Sequence, residues 1–219
     1  CITNPLDIIV LALQKYTKFK HNKVVGMAGI LDTSRFKYFL SEELEVPTSK
    51  IKSFVLGGHG DTMVAMLHNT LVDGKPILEL LKSGKIKKEK LDSIIERTKN
   101  GGAEIVKFLE KGSAFYAPAS SGIEMAESYL NNQKKQLPCA AFLNGEYGVT
   151  NLYVGVPVVI GSNGVEKIIE IKLSNDEKDN FDKSITAVKN LYESALKIDP
   201  SLKIWERINF LRYFLPQWY

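Results

Sequence analysis

Along the chain, long stretches with apolar residues at helical spacing alternate with short apolar runs that end in glycine. Residues 6–17 (LDIIVLALQKYT) are apolar enough for a partly buried helix, closed by the polar stretch Lys18 to Lys23. Lys23 to Ala28 is a short strand candidate running into Gly29. At 33–44, Phe36, Phe39, Leu40 and Leu44 recur at spacings of three and four, which predicts an amphipathic helix capped by Thr33 or Ser34. Residues 51–56 suit a strand that ends in Gly57-Gly58-His59-Gly60-Asp61, and 63–72 a second strand turned by Asp73-Gly74.

From Glu89 the pattern is strongly helical, with Leu91, Ile94, Ile95, Thr98, Gly102, Ile105, Val106 and Leu109 in register. Gly101-Gly102 sits inside this run, where each glycine weakens a helix by about 1 kcal/mol relative to alanine. A close packing contact or a bend is the expected reason. Gly112 to Pro118 interrupts the run, and 119–130 continues as helix. Residues 138–143 and 153–160 read as strands, Gly161-Ser162-Asn163-Gly164 as a hairpin turn, and Ile169 to Leu173 as a half-buried strand by its alternation. Residues 175–197 carry Phe181, Ile185, Val188, Tyr192 and Ala195 in one helical stripe, with Ser174 or Asn175 as cap and Glu177 in the first turn.

Composition narrows the class. The 219 residues are 44% hydrophobic and 25% charged, close to the globular average. No apolar run approaches the roughly 20 residues that cross a bilayer, and no secretory leader opens the chain. Cys1 and Cys139 form neither a disulfide framework nor a metal-ligand spacing, so a reducing cytoplasm is expected. The net charge of +4 owes much to Lys82, Lys85, Lys87, Lys88 and Lys90. Nucleic-acid binding would interleave such residues with stacking aromatics, and here there are none. The stretch reads as a solvated loop leading into a helix. The chain starts at Cys1 rather than Met, and Cys1 to Pro5 reads like the end of a buried strand, so an upstream portion is expected. The end, from Ser201, is rich in large aromatics. It reads as translation past the usual stop rather than as a docking helix.

Three segments concentrate the chemistry: Thr3-Asn4-Pro5, Gly29 to Phe36, and Gly57 to Met63. His59 stands between glycines at a strand end, where backbone approaches a ligand closely, and histidine exchanges protons near neutral pH. A contact from Asp32 to one ring nitrogen would fix the tautomer and stabilise the imidazolium. Arg35 offers two parallel donors to a carboxylate. Each has a plainer reading. A lone histidine is more often packed or exposed; Asp32 could cap a helix; Arg35 could be a solvated helix residue; Asn4-Pro5 could mark only a turn. His21 and His68 lack the glycine setting and read as structural.

Taken together the segments resemble the lactate/malate dehydrogenase family, and within it the malate dehydrogenases of the lactate-dehydrogenase-like type. The resemblance runs from Ile2 to about Lys197. It rests on TNPLD at 3–7, GMAGILDTSRF at 26–36, VLGGHGDTMV at 55–64, ERTKNGGAEIV at 96–106, GSAFYAPA at 112–119 and GEYGV at 145–149. It implies an α/β chain: the tail of a Rossmann nucleotide-binding domain at 1–20, an α+β catalytic and substrate-binding domain at 21–199, and an atypical tail at 200–219. His59 would be the proton donor and acceptor, Asp32 its orienting partner and Arg35 the clamp on the substrate carboxylate. Asn4 would hydrogen-bond near the substrate hydroxyl and the nicotinamide of NAD, with Ile2 and Thr3 against the cofactor. The peptide before Pro5 would be cis. The reaction implied is the reversible oxidation of malate to oxaloacetate, a step of the tricarboxylic acid cycle, in a homodimer or homotetramer.

The resemblance implies that malate and lactate are told apart chiefly by a residue on a loop upstream of this chain; what remains here, GMAGILD, GGHGD and Ala114, where lactate enzymes tend to carry threonine, favours malate. Ala65 departs from the proline of many relatives. No G-x-G-x-x-G occurs in the 219 residues, and that motif seats the cofactor pyrophosphate on a helix N-terminus. The arginine-bearing loop that closes on substrate is missing too. The expectation is therefore a chain with little activity by itself. A non-catalytic self-associating domain, or a damaged reading frame, are the readings of another class.

Overall fold

The computed structural model describes residues 1–203. Helices α1 (Leu6–Thr17) and α2 (Gly29–Leu44) come first. Two short strands, β1 (Ile51–Lys52) and β2 (Val55–Gly57), precede β3 (Met63–Ala65), β4 (Leu71–Val72) and β5 (Lys75–Pro76). Helices α3 (Ile77–Lys82), α4 (Lys88–Leu109) and α5 (Tyr116–Leu130) follow, then strands β6 (Lys135–Asn144), β7 (Thr150–Gly161) and β8 (Gly164–Ile168), and helix α6 (Asn175–Ile198).

The main sheet runs β3-β2-β7-β6, with β8 also on β7, and every pairing is antiparallel. Alternate residues of its long strands face one core: Leu137, Cys139, Ala141 and Leu143 of β6 join Val154, Val156 and Val158 of β7. This is the period of two that a pleated strand imposes. Ile30 and Leu31 of α2 and Phe181, Ile185 and Val188 of α6 complete that core. The opposite face is covered too. Val10 and Leu11 of α1 pack there on Tyr153, with Phe142 beside them. The far side of α2 (Phe36, Leu40, Leu44) closes a second core with α3, α4 and the small sheet β1-β4-β5.

Helices α1 and α6 and the Gly161–Gly164 hairpin form where their local signals lie. Ser174 caps α6 in a reciprocal box with Glu177. The turn at Asp73-Gly74 joins β4 to β5, both residues at positive φ.

Several expectations are corrected. The strand expected at 23–28 is a 3-10 turn at His21–Lys23 followed by a single bridge, Gly26 to Ala140. On its other side the backbone pairs with Cys1, whose N–H donates to Val25 O while Cys1 O accepts from Met27 N, each at 2.8 Å. Cys1 is thus strand-like, as read, but Ile2 to Pro5 are exposed rather than buried. Neither Thr33 nor Ser34 caps α2, which starts at Gly29. Thr33 Oγ1 accepts from Val55 N (3.0 Å), and Ser34 Oγ donates to Ile30 O.

The strand read at 63–72 is broken by a 3-10 turn at Leu67–Asn69, and the one at 51–56 by Ser53-Phe54. The last strand sits at 164–168 instead of 169–173. There the Tyr147 hydroxyl donates to Ile169 O and accepts from Ile171 N, occupying main-chain groups a ladder would need. Helix α5 starts earlier than read, with Pro118 in its first turn, where a missing N–H costs nothing. Of the aromatic tail, residues 204–219 lie outside those described.

Candidate active site

His59 sits on the tight loop from β2 to β3, and the loop's position is set by backbone contact. Gly57 pairs with Gly155 of β7. A Cβ at Gly155 would lie 2.3 Å from Gly57 O, so only glycine lets the two backbones cross this closely. Gly57 itself has φ of 90°. Two buried side chains then hold the loop's N–H groups: Gly58 N donates to Ser184 Oγ of α6 (2.8 Å) and His59 N to Asp7 Oδ2 of α1 (3.2 Å).

Asp32 and Arg35 stand one helical turn apart in α2, a spacing that places them on one face. Asp32 is in the first turn, where the helix dipole favours a carboxylate. Its side chain is 1% exposed and Oδ2 lies 2.8 Å from His59 Nδ1. Arg35 Nη1 lies 3.7 Å from Asp32 Oδ1. Arg35 in turn packs on Gly101 of α4. Two plainer readings fail: Asp32 caps nothing, and Arg35 is 14% exposed rather than solvated. His21 stacks on Phe142 and His68 pairs with Glu177, both outside the cluster, as expected.

Burial pulls the His59 imidazole down, but the hydrogen bond and charge of Asp32, with the charge of Asp7, outweigh it and leave its pKa above the usual histidine value. Burial lowers the Arg35 guanidinium, with Asp32 opposing; an arginine stays charged regardless. Burial pushes the Asp7 carboxyl up to about 6, against the His59 N–H and charge.

Asp7 and Ser184 escaped the sequence reading. For Asp7 a signal existed: one acid in the otherwise apolar LDIIVLAL. For Ser184, on a helix face of mixed polarity, there was none.

Ile2, Thr3 and Asn4 precede α1 with the Asn4–Pro5 peptide cis. All three are exposed, Ile2 by 51%, and a Cβ on Gly122 of α5 would touch the Ile2 side chain at 3.5 Å. The segment thus runs beside α5. No glycine-rich phosphate turn accompanies it. The neighbouring groove of about 670 Å³, lined by Ile2, Leu13, Met27 and Tyr129, includes none of His59, Asp32 and Arg35. No group of metal-ligating side chains occurs among the described residues, and no described helix is long and apolar enough to cross a membrane.

A buried carboxylate thus contacts an imidazole through one oxygen and lies 3.7 Å from a guanidinium through the other. Residues 30–198 match the lactate/malate dehydrogenase α/β C-terminal domain, and the chain belongs to that family. It is similar to the malate dehydrogenase of Pelagibacter ubique (strain HTCC1062), 63% identical over 92% of this chain and 63% of that protein. Among solved structures it is similar to the malate dehydrogenase of Cryptosporidium parvum (44% identity, TM-score 0.86, 89% of this chain and 62% of that one). The lactate dehydrogenase of the same organism, complexed with lactic acid and β-nicotinamide adenine dinucleotide, matches at 42% identity with TM-score 0.86, over 89% of this chain and 61% of that one. The chain thus spans less than two thirds of the length of each.

Proposed function

We propose that this chain carries the proton-transfer and carboxylate-binding residues of an NAD-dependent malate dehydrogenase, which interconverts (S)-malate and oxaloacetate in the tricarboxylic acid cycle. The observation that carries the reading is the 2.8 Å contact from His59 Nδ1 to Asp32, with Arg35 on the other carboxylate oxygen. With Nδ1–H directed at Asp32, Nε2 is the basic atom. It takes the proton from the C2 hydroxyl of malate as the C2–H bond breaks and the C–O double bond forms. Arg35 holds a substrate carboxylate through two parallel donors. NAD, when bound, accepts the hydride. Ile2 and Thr3 would lie against its nicotinamide end, and Asn4 would hydrogen-bond near the reacting hydroxyl. In the reverse direction the imidazolium returns its proton to the oxygen of oxaloacetate.

Residues 1–20 belong in this reading to the nucleotide-binding unit and 21–199 to the substrate-binding unit. Exposed Phe108, Leu109, Phe115 and Tyr116 support self-association into a homodimer or homotetramer. Free cysteines support a cytoplasmic setting. The 63% identity to the Pelagibacter protein favours malate. The fold is neutral between malate and lactate, because the two Cryptosporidium enzymes match equally well.

The test is a chimera in which this chain replaces the matching portion of the Pelagibacter enzyme. It is expected to oxidise malate with NAD and to lose about 10²–10⁴-fold in turnover on His59→Asn. Full turnover in the His59→Asn chimera, or none in the unsubstituted one, would overturn the assignment.

A further inference from the structure

Asp7 has no part in the chemistry above, yet its setting is costly for a structural residue. It lies in the first turn of α1 among Leu6, Ile8, Val10 and Leu11, and is 6% exposed. No lysine or arginine pairs with it among the described residues, and Oδ1 is buried without a hydrogen-bond partner. Burying a carboxylate with one oxygen unsatisfied and no lysine or arginine beside it is unfavourable. A leucine would fill the same place without that penalty. What the carboxylate touches is specific: Oδ2 accepts the main-chain N–H of His59, and a Cβ on Gly58 would come within 3.4 Å of it.

We infer that Asp7 is a positioning residue for His59, holding its main chain from α1 while Asp32 holds its ring from α2. The proposal rests on the dehydrogenase reading for what His59 does. Because Asp7 follows Asn4-Pro5 by two residues, it also ties the loop assigned to the nicotinamide to the loop bearing the imidazole. The charged or titratable groups facing it are His59 on the β2–β3 loop and Asp32 on α2. The side chains that α6 brings to Gly57 and Gly58, Ser184 and Val188, are neutral. Asp7 changes charge at about 6, near the range of histidine itself. A proton on Asp7 therefore removes a negative charge from beside His59, and the two groups titrate as a coupled pair.

The chain has three histidines, His21, His59 and His68, so His59 can be followed by imidazole ¹⁵N resonances in the full 219-residue chain, assigned with His21→Gln and His68→Gln. Asp7→Asn keeps an oxygen for the His59 N–H and removes the charge; Asp7→Ala removes both. The expected result is a His59 midpoint lower by about one pH unit in both variants. Exchange of the His59 amide proton is expected to be about tenfold faster in Asp7→Ala alone. Unchanged midpoint and exchange in both variants would overturn the proposal. Should the variants not fold, the wild-type chain decides. A second inflection near pH 6 in the His59 resonances, matched by the Asp7 carboxyl ¹³C, supports the coupling, and a single inflection contradicts it. None of these readouts depends on turnover, so an inactive chimera leaves this inference standing and an uncoupled Asp7 leaves the dehydrogenase reading standing.

Discussion

Gly101 of α4 lies so close to Arg35 of α2 that a Cβ on it would stand 3.0 Å from Arg35 Cδ and 3.1 Å from Nε. Glycine inside a long helix is unfavourable by itself, and here the missing side chain is the space in which the guanidinium stem lies. Gly101 is thus the close packing contact expected inside this helical run, and it forms part of the wall behind the proposed carboxylate clamp.

Replacing Gly101 with alanine is accordingly expected to separate stability from binding. Helix propensity gains up to about 1 kcal/mol, while Arg35 is displaced by a few tenths of an ångström. In the chimera, KM for oxaloacetate should rise about tenfold with Tm unchanged or higher. Gly102→Ala is the control, because its Cβ would meet only the Arg35 amino groups at 3.8 Å or beyond. Equal effects on KM from the two variants would contradict the packing argument.

Asp32→Asn keeps the shape of the side chain and removes its charge. With burial then less opposed, the His59 midpoint should fall below the usual histidine value. The sign for stability follows. A histidine whose folded pKa is raised contributes stability fully below the unfolded value of about 6.5, and loses it as pH rises through the folded value. Urea unfolding should therefore show the larger cost of Asp32→Asn at pH 6 and a smaller one at pH 9. A cost that grows with pH would refute the pairing.

Ser184 is buried, 3% exposed, and its hydroxyl accepts the Gly58 N–H. Ser184→Ala leaves that donor without a partner, at about 1–3 kcal/mol. Because the donor precedes His59, turnover of the chimera should fall at temperatures where the variant remains folded. Circular dichroism melts beside steady-state rates separate the two effects, and a destabilised variant with full turnover would show that the loop needs no anchor on α6.

What could be read from the sequence was what neighbouring residues decide. The cap at Ser174, the turns at Asp73-Gly74 and Gly161–Gly164, and the stripe of α6 are local signals and lie where expected. The grouping of His59, Asp32 and Arg35 came from the resemblance, and the fold brings the three together. Features set by distant partners could not be read. Gly26 meets Ala140, Tyr147 occupies main-chain groups at 169–171, Asp7 reaches His59 across 52 residues and Gly58 reaches Ser184 across 126. Short apolar runs such as 23–28 and 63–72 satisfy strand spacing without saying whether a neighbouring strand extends far enough to pair with them.

The central claim is that one imidazole, held by Asp32, gives and takes the substrate proton. The pH dependence of kcat/KM in the chimera, measured in both directions, tests it most directly. Malate oxidation requires neutral His59 and should rise with pH through a midpoint above 6.5, while oxaloacetate reduction requires the imidazolium and should fall through the same midpoint. Profiles that move in the same direction, or that are flat across this range, would contradict the account.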